Sequence, residues 1–472
     1  MRSLLLLCLG LLASAALAQQ PWTLEQCIRR AEEKNLTVRN AALDADLADQ
    51  AHDQAYWSFL PNLNAAATHG YNWGKTIDQY TNTFATDRVR TNNFYLSSDW
   101  TLFESNRKHN ELKRADLSEQ ASLKGLEAAK NNIRTEVVRA YLNVLGLRER
   151  LAAQQQQIGV TKGQIELTQA LVDAGRTARA ELLDNEAQLA QEEYTATDLE
   201  SQQELAMLSL GQLMQFTPEE MQGFDIVSPA IGDAAITPPT ASENEVLRAV
   251  ISTNPAYAQA DLNMQSADRT VSITRSQSLP SLSFNASLGT GYSGRNLEAI
   301  GAPIPQESIL IGATADGTPV FAPSFTTNSR VRPFAKQLND NLNESVGFTL
   351  RIPLFNNMSN RYNVDQARIR YEQSKNAIET QRNALQRDVQ NALASQRNAF
   401  KQYESARRSL TASEESLRYA QERYDQHVIT AIELNSAKYR VQQATADLIN
   451  AKYTYLMAAR SLDILQGRPV TL

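Results

Sequence analysis

Glycine and proline are scarce in this chain. The 19 glycines and 15 prolines among 472 residues fall below typical usage of roughly 7% and 5%, which argues against an architecture of many short elements and turns. From Asn356 to Gln466 neither residue occurs. Cysteine is scarcer: there are only Cys8, inside an N-terminal apolar run, and Cys27, so no disulfide framework is expected. Beyond the N-terminus there is no run of 18 or more apolar residues, and no helix is expected to cross a bilayer. A basic excess is missing too. The 46 Lys and Arg against 52 Asp and Glu give a net charge of −6, and basic residues never cluster beyond isolated pairs, so nucleic acid is not an expected partner. His52, His69, His109 and His427 are dispersed without metal-ligand spacing. No nucleophile motif, phosphate loop or acid pair appears. No cofactor and no enzymatic activity are expected.

What is present begins with Met1-Arg2, an apolar run Leu4–Leu12 and then Ala16-Leu17-Ala18. This reads as a secretory signal over residues 1–18, cleaved after Ala18. The mature protein is therefore exported, and any membrane crossing must be made by strands. Ser345–Phe355 fits that role. Val346, Phe348, Leu350, Ile352 and Leu354 alternate with small or polar Ser345, Gly347, Thr349 and Arg351, giving a strand with one apolar and one wet face. About ten residues is what a tilted membrane strand needs.

The chain is duplicated. Shifting Leu60-Pro61-Asn62-Leu63 by 219 positions lays it on Leu279-Pro280-Ser281-Leu282, and the same shift pairs Arg29 with Arg248, Asn35 with Asn254 and Gly70 with Gly289. A shift of 252 lays Leu102-Phe103 on Leu354-Phe355, Val137 on Val389, Asp173 on Asp425 and Glu181 on Glu433. The larger shift means a longer insertion between the strands of the second half. Residues 19–214 and 242–467 form the two repeats, with a linker over 215–241 and a tail over 468–472.

Each half predicts the same order. Two short helices (Leu24–Lys34 and Leu36–Ser58; Glu243–Thr253 and Pro255–Ser276) precede a strand (Leu60–Tyr71; Leu279–Tyr292). A loop follows, about 20 residues in the first half and about 50 in the second, and then a return strand (Asn93–Phe103; Ser345–Phe355). A long helix starts at Asn106 or Asn356 and turns near Gly175 or Val428-Ile429-Thr430. It returns over roughly Ala178–Met214 or Ala431–Gln466. Leu151, Ile158, Ile165 and Val172 recur every seven residues, as do Tyr403, Leu410, Leu417 and Tyr424. Along the last helix Leu434, Ala437, Val441, Ala444 and Leu448 alternate spacings of three and four, a heptad seam suited to close helix pairing. The helices alone would fit a structural coiled-coil envelope protein without transport activity. The duplicated strands favour a channel, because a bilayer-spanning sheet must close and four strands cannot close around a water-filled lumen.

This layout resembles the outer-membrane efflux protein family, the TolC-like channels. The residues that carry the resemblance are Leu60–Leu63, Leu279–Leu282, Trp100-Thr101-Leu102-Phe103, Ile352-Pro353-Leu354-Phe355 and the tail Tyr424–Gly467. It implies an α+β membrane protein: a homotrimer with a twelve-strand β-barrel, four strands per chain, continued by a long periplasmic α-helical coiled-coil barrel. It implies a place in the outer membrane of a Gram-negative bacterium. The implied role is a passive exit duct of a tripartite efflux or type I secretion system, with outer-membrane lipid, a periplasmic adaptor and an inner-membrane pump as partners.

Candidate site residues fall in two regions. On the return strands Asp99 and Arg351 occupy equivalent positions of the wet face and are candidate barrel-lumen charges, against a plainer role in solvating the lumen. At the helical turns the resemblance points to Glu181, Asp184 and Glu433 as periplasmic gate candidates. Rings of carboxylates there would repel one another and favour cations; the plainer alternative is a solvated helix pair such as Glu433 with Lys438. Gly175 keeps the family's tip glycine, where the second turn has His427. With Arg176 and Val428 these two are the adaptor-docking tip candidates.

Overall fold

The computed structural model describes residues 21–229, 232, 236–426 and 428–470; the signal sequence and His427 lie outside the described residues. Helices α1 (Leu24–Lys34) and α2 (Leu36–Trp57) are followed by strands β1 (Asn64–Asn72), β2 (Thr76–Asp78), β3 (Thr83–Ala85) and β4 (Val89–Phe103). Helices α3 (Arg107–Asp173), α4 (Arg179–Leu213) and the short α5 (Pro218–Met221) complete the first half. The second half runs α6 (Glu243–Thr253), α7 (Pro255–Ser276), β5 (Ser281–Ser293), β6 (Leu297–Ala313), β7 (Pro319–Val331), α8 (Phe334–Asp340) and β8 (Asn343–Arg351), then α9 (Ser359–Asp425) and α10 (Ala431–Leu465).

The duplication holds at the level of single residues. Helices α3 and α9 each have 67 residues, and α4 and α10 each have 35. At the strand-to-helix corner, Ser105 and Asn106 both take positive φ, and so do their counterparts Asn357 and Met358. At the end of the return helices Gln215 and Gly467 do the same. In both places the next N–H reaches back to close the helix, Phe216 to Gly211 O at 3.0 Å and Arg468 to Asp463 O at 2.9 Å. A shared backbone path thus survives where the side chains have diverged.

Two compact units draw on both halves. Among the described residues, one comprises the segment that ends at Gln50, Asp116–Ala267 and the segment that begins at Arg370. Its core gathers Leu24, Cys27, Val137, Val138, Tyr141 and Leu210. The Tyr141 hydroxyl donates to Trp22 O at 3.2 Å and Val227 O at 2.7 Å, tying the segment before α1 to the segment after α5. Burial pushes the Cys27 thiol up to about 12. A second cluster packs Val246 and Val250 of α6 on Leu385, Val389 and Leu393 of α9. A third joins Ala399 and Tyr403 of α9 to Ala451 and Tyr455 of α10. Tyr403 belongs to the sevenfold spacing of the sequence, and Ala451 and Tyr455 continue the three-four seam of the last helix.

The other unit, Ala51–Ala115 and Asp268–Ile369, holds a four-stranded antiparallel sheet in the order β1-β4-β5-β8. β1 and β8 each lose residues at one end against the sequence expectation, whereas β4 begins at Val89 rather than Asn93. β8 stops at Arg351 because Pro353 has no N–H to donate, so Ile352–Phe355 leave the ladder and Leu354 is fully exposed. β1 starts at Asn64 rather than Leu60, since Pro61 breaks the lead-in; instead Asn62 N–H donates to Asp99 O at 3.1 Å and its Oδ1 accepts from Asp99 N–H at 2.8 Å. The loop of about 50 residues expected in the second half is largely structured, with β6 and β7 paired as a hairpin and α8 behind it. The shorter loop also carries a small hairpin, β2–β3.

Candidate functional site

The register sorts the sheet into two faces. Trp100 lies opposite Phe284, and Phe284 opposite Phe348, with the last two rings 5.2 Å apart. Ser98, Ala286 and Val346 form the next row on that face, then Leu96 beside Leu288. The other face is polar: Ser97 opposite Ser287 and Ser345, and Asp99 opposite Asn285 and Gly347. This is the alternation read from the sequence, now shared across neighbouring strands.

Asp99 and Arg351 are equivalent by duplication but are not neighbours. Asp99 on β4 pairs with Asn285 whereas Arg351 on β8 pairs with Ser281, so the two stand on opposite sides of β5 and are offset by four residues, roughly 13 Å, along it. The Asp99 carboxylate accepts from Asn285 Nδ2 at 2.6 Å, and Asn285 Oδ1 accepts from the Thr349 hydroxyl at 3.2 Å. Asp99 thus heads a polar row across three strands. Arg351 stands exposed at the end of its strand.

One end of the sheet carries a polar knot that sequence reasoning missed. Asp78, 3% exposed, accepts from the N–H groups of Tyr80 and Thr81 at 3.0 and 2.9 Å and from the Ser293 hydroxyl. Gln337 of α8 is fully buried. It accepts from Ser293 N–H at 2.9 Å and donates to Ser293 O at 3.1 Å and Arg332 O at 2.8 Å. Tyr80 donates to Asn93 at 2.6 Å and lies on Gly291, where a Cβ would sit 1.9 Å from its hydroxyl. The insertions of both halves are locked together through strand β5. Asp, Ser and Gln in turn-rich segments gave no periodic signal to reveal it.

At the helical turns the two copies use different chemistry. Helix α3 ends in a Schellman motif: Gly175 has φ +66, its N–H bonds Val172 O at 2.9 Å, and Arg176 N–H bonds Leu171 O at 2.8 Å. Val428 N–H makes the corresponding bond to Arg423 O at 2.8 Å, around the position of His427. Arg176 and Val428 are both exposed. Past the turn, Glu433 closes a capping box on Thr430: its carboxylate accepts from Thr430 N–H at 3.0 Å and its N–H donates to the Thr430 hydroxyl at 3.3 Å.

Glu181 has no such duty, because the N-cap of α4 is Ala178. Its carboxylate accepts from the Thr177 hydroxyl at 3.0 Å and from the Tyr424 hydroxyl of the other helical hairpin. Burial, and then Glu181, push the Tyr424 phenol up to about 12. Tyr424 stood out in the sequence only as the last member of a heptad seam. Asp184 is exposed on α4. Lys438 does not serve Glu433; it lies near Glu192, 2% exposed, which accepts from Gln188 at 2.9 Å and Gln157 at 3.3 Å. Burial lowers the Lys438 ammonium's pKa below its usual range while Glu192 raises it.

Comparison with known proteins places these features in a family. The model of the family described as outer membrane efflux protein matches residues 27–214 and 246–468. The chain is similar to the outer membrane protein TolC of Vibrio cholerae serotype O1, 21% identical over 461 residues, covering 96% of this chain and 92% of that one. Among solved structures it is similar to the CmeC outer membrane channel of Campylobacter jejuni, with a TM-score of 0.73, 15% identity and coverage of 94% and 85%. It is also similar to the outer membrane protein VceC of Vibrio cholerae, with a TM-score of 0.73, 16% identity and coverage of 94% and 96%.

Proposed function

The chain belongs to the outer membrane efflux protein family, and from that premise we propose that three copies share one barrel and serve as a passive exit duct, fed by an inner-membrane pump through a periplasmic adaptor. As a member of that family it is a channel protein of the outer membrane that reaches into the periplasm. The observation that carries the reading is the open sheet. Among the described residues, β1 and β8 each have one edge without a partner strand, and the sheet has one polar and one apolar face. Unpaired edges in hydrocarbon cost several kcal/mol per group. Pairing β8 of one copy with β1 of the next is a heterologous contact that closes into a ring. Three copies give twelve strands, enough for a wet lumen.

The proposal gives the polar row Asp99–Asn285–Thr349 and the exposed Arg351 to the lumen. It gives the Glu181–Tyr424 clasp to the periplasmic gate, with Asp184 and Glu433 beside it. The turns at Gly175, Arg176, His427 and Val428 are the docking surface for the adaptor. Single-channel recording of the purified protein in planar bilayers tests this reading. Discrete conductance steps from a particle of three chains are expected. A monomer that never conducts refutes it.

A further inference from the structure

The β6–β7 hairpin is far longer than β2–β3, which holds the same place in the first half, and takes no part in the four-stranded sheet. Its register shows which residues share a face. β6 has 17 residues against 13 in β7, so the extra residues bulge from β6 while β7 alternates regularly. Leu297 opposes Val331, Pro305 opposes Phe325, and Leu310 opposes Phe321. These six residues form one face without a charge. The opposite face is mixed: it carries the Glu298–Arg330 ion pair at 2.8 Å and polar Gln306, Ser324 and Asn328 among Ile300, Ile304, Ile309 and Val320, and it has no aromatic ring. Leu310, Phe321 and Phe325 are 58%, 59% and 59% exposed.

A lone two-stranded hairpin is marginal in water, and a long apolar face on it calls for a partner. Strand addition is disfavoured, since Pro303, Pro305 and Pro323 supply no N–H to a new neighbour. An anionic lipid surface is disfavoured by charge: between Glu298 and Arg330 the only charged residues are Glu307 and Asp316, which such a surface would repel. The root of the hairpin points to the partner. Arg332 N–H bonds Asn296 O at 2.8 Å, buried Gln337 clamps α8 to Ser293, and the chain passes directly into β8. That is an edge strand which, in the trimer, meets the next copy. Each hairpin is therefore anchored beside a boundary between copies.

We propose that the charge-free face of β6–β7 packs against the same face of the hairpins of the other two copies, forming an apolar collar at the barrel rim. This rests on the trimer reading above. Cysteine cross-linking of the full-length protein tests it, because buried Cys27 is a poor nucleophile and leaves an introduced cysteine as the reactive thiol. Phe325→Cys, and independently Leu310→Cys, should give disulfide-linked chain pairs on mild oxidation, at least about tenfold more than Ser324→Cys on the opposite face. With three equivalent thiols, at most about two-thirds of the chains can link. A trimer that links at neither position, or equally at Ser324→Cys, overturns the collar alone. A protein that stays monomeric overturns the collar and the trimer together.

Discussion

Replacing Tyr424 by Phe removes the hydroxyl that donates to Glu181 from the second helical hairpin. A hydrogen bond to a charged group contributes about 1.5–3 kcal/mol net. Glu181 and Tyr424 are both partly exposed, so about 1 kcal/mol per copy is the better figure after screening. If the clasp holds the proposed gate, three of them bias it towards closure by about 3 kcal/mol, or roughly 100-fold at 1.4 kcal/mol per tenfold. Tyr424→Phe channels in planar bilayers should show an open probability raised towards that factor, with single-channel conductance of the open state unchanged. Tyr419→Phe, one turn away on the exposed side of the same helix, is the control. The phenol also sets a pH dependence. Its pKa is raised in the folded protein, so the clasp's contribution is complete below the ordinary value of about 10 and fades as pH rises through about 12. Tyr424→Phe should lose that alkaline dependence. If Tyr424→Phe and Glu181→Gln both gate like the unaltered protein, the clasp holds nothing shut and the gate lies elsewhere.

Other outcomes follow from the same geometry. Gly175→Ala has open space around the new methyl, so its cost is the left-handed backbone alone, about 1 kcal/mol; adaptor binding to the first turn, read by pull-down with purified adaptor, should weaken without loss of trimer. Lys438→Met should flatten the rise of thermal stability with pH. Lys438's lowered pKa means the unfolded chain holds more protons between the folded value and 10.5, so the unaltered protein gains stability as pH rises through that window. Thermal melts at a series of alkaline pH values check the sign.

Much of the architecture was legible because it is written in periodicity and repetition. The bounds of α1, α6 and α7 were read directly, and the ends of α3 and α9 from the turn at Gly175 and at Val428-Ile429-Thr430. Strand ends were less legible, because Pro61 and Pro353 act on hydrogen bonding rather than on the apolar alternation that marks a strand. The β6–β7 hairpin was hidden by its bulges, which break the alternation of β6 at Ile300, Gln306 and Leu310. Its prolines also read as loop. At the site, equivalence by duplication identified Glu181 and Glu433 as a pair but said nothing of what each touches. The missing facts were the partners: Tyr424 for one, Thr430 for the other.

Those partners explain why two acids at equivalent positions do different work. A helix start with Thr at the cap and Glu three residues on captures the carboxylate in a capping box, and Thr430 does this to Glu433. The equivalent cap in the first half is Ala178, with φ −77 and ψ 141, close to the −82 and 159 of Thr430. An alanine cannot cap, so Glu181 is left to reach Tyr424. The divergence of one side chain therefore turns six equivalent acids in a trimer into three clasps and three helix caps. Ala178→Thr should reverse this, since the backbone already has the geometry for a capping box. The new cap should stabilise α4 by about 1 kcal/mol, raising the melting temperature, while drawing Glu181 off Tyr424 and raising open probability in the same bilayer assay. Stability and gating would then move in opposite directions, which simple damage to the fold cannot produce. A variant that melts higher but gates unchanged would show that Glu181 can serve both partners at once, and the division of labour between the two hairpins would fall.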